Sequence, residues 1–181
     1  MKIFINPGHG GADTGAIGHG LIERDVALLI ARRVEHYLQA VGYDTFLFQF
    51  DGLQAICDKA NSWGADLFVS IHCNAANGSA KGAETYYFAD SRAGRKLANH
   101  IQRQLINSLP LVDRGIKTAN FVVLTNTIMP AVLVETAFID NAHDAALLRD
   151  KQDDFARAIA RGISDFYAVD RPPPDVIDRH F

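Results

Sequence analysis

The chain reads as an α/β domain, a single twisted and mostly parallel sheet of about six strands with helices on both faces. Three observations predict this. Short runs rich in β-branched and aromatic residues alternate with stretches of helical period. Several of those runs are apolar at consecutive positions, as strands covered on both faces must be. The length agrees, since 181 residues with 48% hydrophobic content supply one well-buried core and are too few for two.

Lys2–Asn6 is the first predicted strand, and it runs into the glycine-rich turn Pro7-Gly8-His9-Gly10-Gly11. Val26, Leu29, Ile30, Val34, Tyr37, Leu38 and Val41 then form one helical stripe, with Gly42 as its stop. Thr45–Phe50 is the second strand. A helix follows with Leu53, Ile56, Cys57 and Ala60 on its apolar face, which makes Cys57 a core residue. Leu67–Ile71 and Ala83–Phe88 are the next strands. A helix follows on Leu97, Ile101, Leu105 and Leu109. Phe121–Leu124 and Ala131–Glu135 complete the predicted sheet, and Phe155, Ile159, Ile163 and Phe166 mark the last helix. Composition changes at Arg171-Pro172-Pro173-Pro174-Asp175, where three prolines cannot continue a helix. The expected division is therefore a domain at 1–169 and a Pro-rich tail or linker remnant at 170–181.

A net charge of -3 without any long Lys/Arg run argues against nucleic acid as a partner. No apolar stretch approaches the roughly 20 residues of a membrane span. The start, Met-Lys-Ile-Phe-Ile-Asn-Pro-Gly, runs straight into a strand and lacks the apolar region of a secretory signal. The expectation is a chain made without a signal, as in phage-type release, or one that begins after it. Two cysteines, Cys57 and Cys73, are too few for a disulfide framework.

Ligands of open α/β sheets bind beyond the carboxyl ends of the strands. His9, His72 and Glu135 all fall at such ends, and Glu23 lies just before the first helical stripe. Two imidazoles and one carboxylate, His9, Glu23 and His72, leave a fourth tetrahedral position open, as in catalytic zinc sites. Glu135 stands where a general base for metal-activated water is expected. His36 and His100 fall within helices beside charges, and His143 and His180 also lack a strand-end setting. His19 shares the loop of Glu23 and is the nearest rival as a ligand. Cys73 could be a soft ligand or a nucleophile, but neighbours on a strand face opposite ways, so a metal-facing His72 turns Cys73 into the core. The glycine turn lacks both the Gly-Lys-Ser/Thr ending of a nucleotide loop and the dinucleotide fingerprint.

Longer motifs then carry a resemblance. They are Pro7-Gly8-His9-Gly10-Gly11-Ala12-Asp13-Thr14-Gly15-Ala16, then Glu23, then Ala60-Asn61 with Ala65-Asp66-Leu67-Phe68-Val69-Ser70-Ile71-His72-Cys73-Asn74-Ala75. Gly82-Ala83-Glu84-Thr85-Tyr86-Tyr87 and Pro130-Ala131-Val132-Leu133-Val134-Glu135-Thr136-Ala137-Phe138-Ile139-Asp140-Asn141 follow in order. Together they resemble the zinc-dependent N-acetylmuramoyl-L-alanine amidases, over roughly Met1 to Ala168. The resemblance implies zinc held at His9, Glu23 and His72, with Glu135 catalytic. It implies peptidoglycan as substrate, cut between the muramic acid lactyl group and L-alanine, and hence action at the cell wall in the periplasm or outside the cell. It also leaves room for a separate wall-binding domain after the tail. Asn6, Ala27, Cys73 and the Phe46–Phe50 segment depart from the family pattern without removing a ligand. An inert wall-binding module and a peptidase of free peptides are the competing readings. The short polar passage from Asn74 to Gly82 suits a loop, so no helical plug is expected over the site.

Overall fold

The computed structural model describes residues 1–170. Its elements are β1 (Lys2–Pro7), β2 (Ile17–Gly18), β3 (Leu21–Ile22), α1 (Glu23–Ala40), β4 (Asp44–Leu47), α2 (Leu53–Trp63) and β5 (Leu67–Asn74). They continue with β6 (Ala83–Tyr87), α3 (Arg92–Ser108), β7 (Asp113–Thr118), α4 (Val122–Thr125), β8 (Ala131–Phe138), α5 (Ala142–Asp150) and α6 (Gln152–Asp170). Six strands join one sheet in the order β4-β1-β5-β8-β6-β7, while β2 and β3 make a small hairpin. All pairs in the sheet are parallel except β6 with β8. The link at 75–82 is too short for the dozen or more residues of a parallel crossover, so β6 returns antiparallel. The Pro-rich segment after Asp170 lies outside the described residues. Among the described residues no helix is long and apolar enough to cross a membrane.

Strand alternation sorts the core into two layers. Ile3 and Ile5 of β1, Val69 and Ile71 of β5, and Val132 and Val134 of β8 pack against α1, α3 and α6. Phe4, Phe68 and Leu133 face the other way, toward Ile56, Cys57 and Ala60 of α2 and Val123 and Leu124 of α4. On that side Phe4 stacks on Phe68 with centroids 5.6 Å apart. Cys57 is fully buried, as expected of a core residue, although Leu53 on the same predicted face is exposed. Gly42 ends α1 at φ +86, donating to the Gln39 carbonyl.

Five elements differ from expectation. Phe121–Leu124 is not a strand: Phe121 caps the short helix α4, and Val122, Val123 and Leu124 lie within it; Val123 and Leu124 are buried while Phe121 and Val122 stay exposed. The sixth strand is instead β7, Asp-Arg-Gly-Ile-Lys-Thr, a charged edge strand with no apolar run to announce it. β4 stops at Leu47, short of Phe50. β5 and β8 extend past Ile71 and Glu135, to Asn74 and Phe138, so His72 and Glu135 lie within strands, two and three residues before the end, and not at the last position.

Candidate active site

The turn after β1 is built to present His9. Gly8 donates to the Ile71 carbonyl at 2.8 Å, which ties the turn to β5. His9 adopts a left-handed φ of +60, and Gly10 and Asp13 bridge each other through both backbone groups. That closed loop brings the Asp13 carboxylate to His9 Nδ1 at 2.8 Å, while its other oxygen accepts from Gly15 N at 3.0 Å. With Nδ1–H committed to Asp13, the Nε2 lone pair is left for a ligand.

Glu23 opens α1 and is 4% exposed. Its Oε2 lies 3.0 Å from His9 Nε2 and accepts from Ala16 N at 2.9 Å. Its Oε1 lies 3.0 Å from His72 Nδ1 and accepts from Cys73 N at 3.1 Å. One ligand atom from each of His9, Glu23 and His72 falls within 4.8 Å of the others, as a single bound ion requires. Burial pushes the Glu23 pKa up, but hydrogen bonds from His72 and His9 outweigh it and hold the carboxyl well below its usual range. The same bond to Glu23 lifts His9 to about 9 against the opposing effect of burial.

Glu135 sits beside this group as the register partner of His72 across β5 and β8. Its Oε2 is buried and has no hydrogen-bond partner. Burial pushes its pKa up to about 7. Arg114 and Lys117, the cations of neighbouring β7, bind Glu84 and not Glu135.

The remaining candidates fall away from the site. Cys73 turns into the core as strand alternation requires, its Sγ 3.6 Å from Thr136 Oγ1, and burial holds the thiol far above its usual range. His19 is exposed, with Nε2 3.2 Å from the Asp140 carbonyl oxygen and its own carbonyl accepting from Arg149. Asp13 and Glu84 were not singled out from sequence. The signal for Asp13 is its place four residues after His9 across a glycine turn. For Glu84 it is a lone carboxylate inside an otherwise uncharged strand.

With this geometry in place, similarity to known proteins becomes informative. Residues 3–165 match a family profile described as N-acetylmuramoyl-L-alanine amidase. The chain belongs to this amidase family. It is 47% identical over 174 residues to N-acetylmuramoyl-L-alanine amidase LytC of Bacillus subtilis, covering 91% of this chain and 35% of LytC. It is 39% identical to the endolysin of Bacillus phage SPP1, covering 88% of this chain and 62% of that one. The solved structure of amidase AmiC2 of Nostoc punctiforme superposes with a TM-score of 0.88 at 35% identity, over 93% of this chain and 97% of that one. This chain therefore spans about a third of LytC and almost all of the AmiC2 chain.

The His9, Glu23, His72 and Glu135 group opens into a cleft of about 650 Å³. Asn6, His72, Leu133 and Glu135 reach it from the sheet, all on the face that carries α2 and α4. Asn6 is held there by its bonds to the Phe48 carbonyl at 3.0 Å and from Ser70 Oγ at 2.8 Å. The far wall is apolar, with Phe50 and Leu53 on one side and Phe121 and Val122 on the other. The segment from Ala75 to Gly82 is a loop held by Asp140, which accepts from Ala76 N and Gly78 N at 2.9 Å each.

Proposed function

We propose that this chain is a zinc-dependent N-acetylmuramoyl-L-alanine amidase, hydrolysing the amide that joins the muramic acid lactyl group to L-alanine of the peptidoglycan stem peptide. The observation that carries the reading is a convergent His-Glu-His donor set beside a carboxylate with one buried, unpartnered oxygen in an open cleft. The donor set fits zinc, with two imidazole nitrogens and one carboxylate leaving a position for water or substrate. When bound, zinc supplies Lewis-acid polarisation of the scissile carbonyl and charge stabilisation for the oxyanion.

The chain's own groups do the rest. His9, Glu23 and His72 hold the ion, and Asp13 keeps His9 in the required tautomer. Glu135 takes the proton of the attacking water as the oxygen bonds to the carbonyl carbon. As the C–N bond breaks, Glu135 returns that proton to the departing nitrogen of L-alanine. The products are a lactyl carboxylate and a peptide with a free amino terminus. Dye-labelled peptidoglycan is the decisive substrate: the purified chain, without any activating partner, should release dye and create new alanine amino termini detectable by mass analysis. Cleavage within the stem peptide or the glycan would overturn the reading, and so would binding without release.

Two further results follow from the ligand geometry. In the metal-free protein His9 titrates at about 9, so below that pH its Nε2 carries a proton that an ion must displace. Zinc titration near pH 7.5 in weak buffer should therefore release about one proton per ion from His9. Affinity should rise with pH up to about 9 and weaken below it. Zinc uptake without proton release would count against His9 as ligand. Gly15→Ala should loosen the same site. A Cβ there would lie 2.5 Å from His9 Cδ2 and 2.6 Å from Glu23 Oε2, at a backbone φ of +62. Disturbing groups that support a ligand typically costs about 10–100-fold in metal affinity, and competition with a chromogenic chelator would measure it.

A further inference from the structure

Two carboxylates face each other beside the cleft. Glu84 of β6 and Glu135 of β8 are register partners, so their side chains leave the same face with Cβ atoms about 4.5–5.5 Å apart. Their surroundings differ completely. Glu84, 2% exposed, accepts from Asn74 Nδ2 at 2.8 Å and Tyr86 OH at 2.7 Å on one oxygen. Its other oxygen accepts from Arg114 Nε at 2.7 Å and from Lys117 Nζ. Glu135 Oε2 has no partner. Of two adjacent anions, one holds both nearby cations and the other holds neither.

The edge strand is deformed to produce this distribution. Arg114 and Lys117 are three residues apart, which would place them on opposite faces of a regular strand. Between Ala83 and Thr85 the register of β7 slips from Asp113 to Ile116, and Gly115 takes a left-handed φ of +76. Gly115 N donates to Asp113 Oδ1 at 2.9 Å, and buried Gln102 donates to the same oxygen at 2.7 Å, so the bulge is braced. Bulges of this kind re-aim side chains next to active sites. Here the bulge turns both cations onto Glu84, with the Arg114 guanidinium also seated 4.8 Å from the Phe138 ring centroid.

We infer that Glu84 is a positioning residue for the catalytic base: by gathering Arg114 and Lys117 to itself it leaves Glu135 facing the cleft without a cation. The inference rests on Glu135 being that base. A carboxylate paired with an ammonium or guanidinium directs its lone pairs at the cation and is a poor acceptor for a proton from water. Glu84 cannot drift from its task, because Asn74 and Tyr86 anchor its second oxygen. Lys117, 38% exposed on a flexible stem, is the cation most able to move when Glu84 loses its charge.

The test is a rescue experiment on the zinc-loaded chain, with turnover and zinc content measured on a muramoyl-peptide substrate. Glu84→Gln should keep its zinc and lose about 10²-fold in kcat, at the low end of what general acid–base assistance supplies. Adding Lys117→Met should restore at least about tenfold of that loss, since the intruding cation is gone. Lys117→Met alone should turn over close to the parent chain. A crystal structure of Glu84→Gln should show the Lys117 ammonium against Glu135. Near-normal turnover of Glu84→Gln, or a loss that Lys117→Met does not relieve, overturns the inference and leaves Glu84 a structural brace. Should Glu84→Gln fail to fold, Glu84→Gln/Lys117→Met carries the test alone, and a hundredfold defect in that double variant overturns it. Glu135→Gln is measured alongside: if it retains turnover, the base assignment falls and this inference with it. If it is inactive while Glu84→Gln is normal, only this inference falls.

Discussion

Alanine at His72 is expected to leave a folded domain that holds no zinc and hydrolyses its substrate no faster than background. His72 supplies Nδ1 to the donor group, and without it that group, among the described residues, is reduced to His9 and Glu23. The fold should survive, because β5 packs through Leu67, Val69 and Ile71 on one face and Phe68 on the other, and His72 is half-buried at the cleft. A bound ion contributes several kcal/mol of charge stabilisation in the transition state, so the rate should fall by about 10³–10⁴-fold or more. Metal analysis, turnover and a thermal melt on the same preparation check all three parts. Stoichiometric zinc in the variant would remove His72 from the ligand set.

Glu135→Gln separates the base from the metal. Glutamine keeps the size and the reach of the side chain but cannot take a proton. Loss of general acid–base assistance is worth about 10²–10⁴-fold, so kcat should drop by at least about 10² while zinc stays near one per chain. The pH profile gives an independent readout. Burial pushes the Glu135 pKa up to about 7, and the basic form exists above it. The rate of the parent chain should therefore rise with pH along an acid limb centred at or below about 7, since a zinc ion held by His9, Glu23 and His72 would pull the value down. That limb should vanish in Glu135→Gln. Near-normal turnover would end the case for Glu135 as base, whereas loss of zinc together with activity would make it a ligand or a support for one.

The sequence made the site more legible than the sheet edge. His9, Glu23, His72 and Glu135 carry their meaning in residue type and in their relation to apolar runs, and the structure brings all four together. Cys73 was placed correctly by strand alternation alone. Periodicity failed where an element is short or polar. Four apolar residues, Phe121 to Leu124, fit a buried strand and one helical turn equally well, and tertiary packing against α2 decided for α4. β7 is invisible because an edge strand with Asp113, Arg114 and Lys117 buries little and is held by backbone pairing to β6. Glu84 was missed for a related reason. Its importance lies in two cations that a bulge in that unseen strand delivers to it, and no local pattern in Gly82-Ala83-Glu84 records them.

The cleft's two sides answer to different demands. The donor atoms and the base come from β5, β8, the turn after β1 and the first residue of α1, which are also parts of the packed core. The opposite wall comes from Phe50 and Leu53 at the entry to α2 and from Phe121 and Val122 at the start of α4, all exposed and none paired into the sheet. Substitution on that wall alters what the cleft grips without unseating an ion ligand or opening the core. Selection, or a protein engineer, can thus vary what the cleft recognises in small steps, each of them nearly neutral for folding and for the four polar groups on the other side.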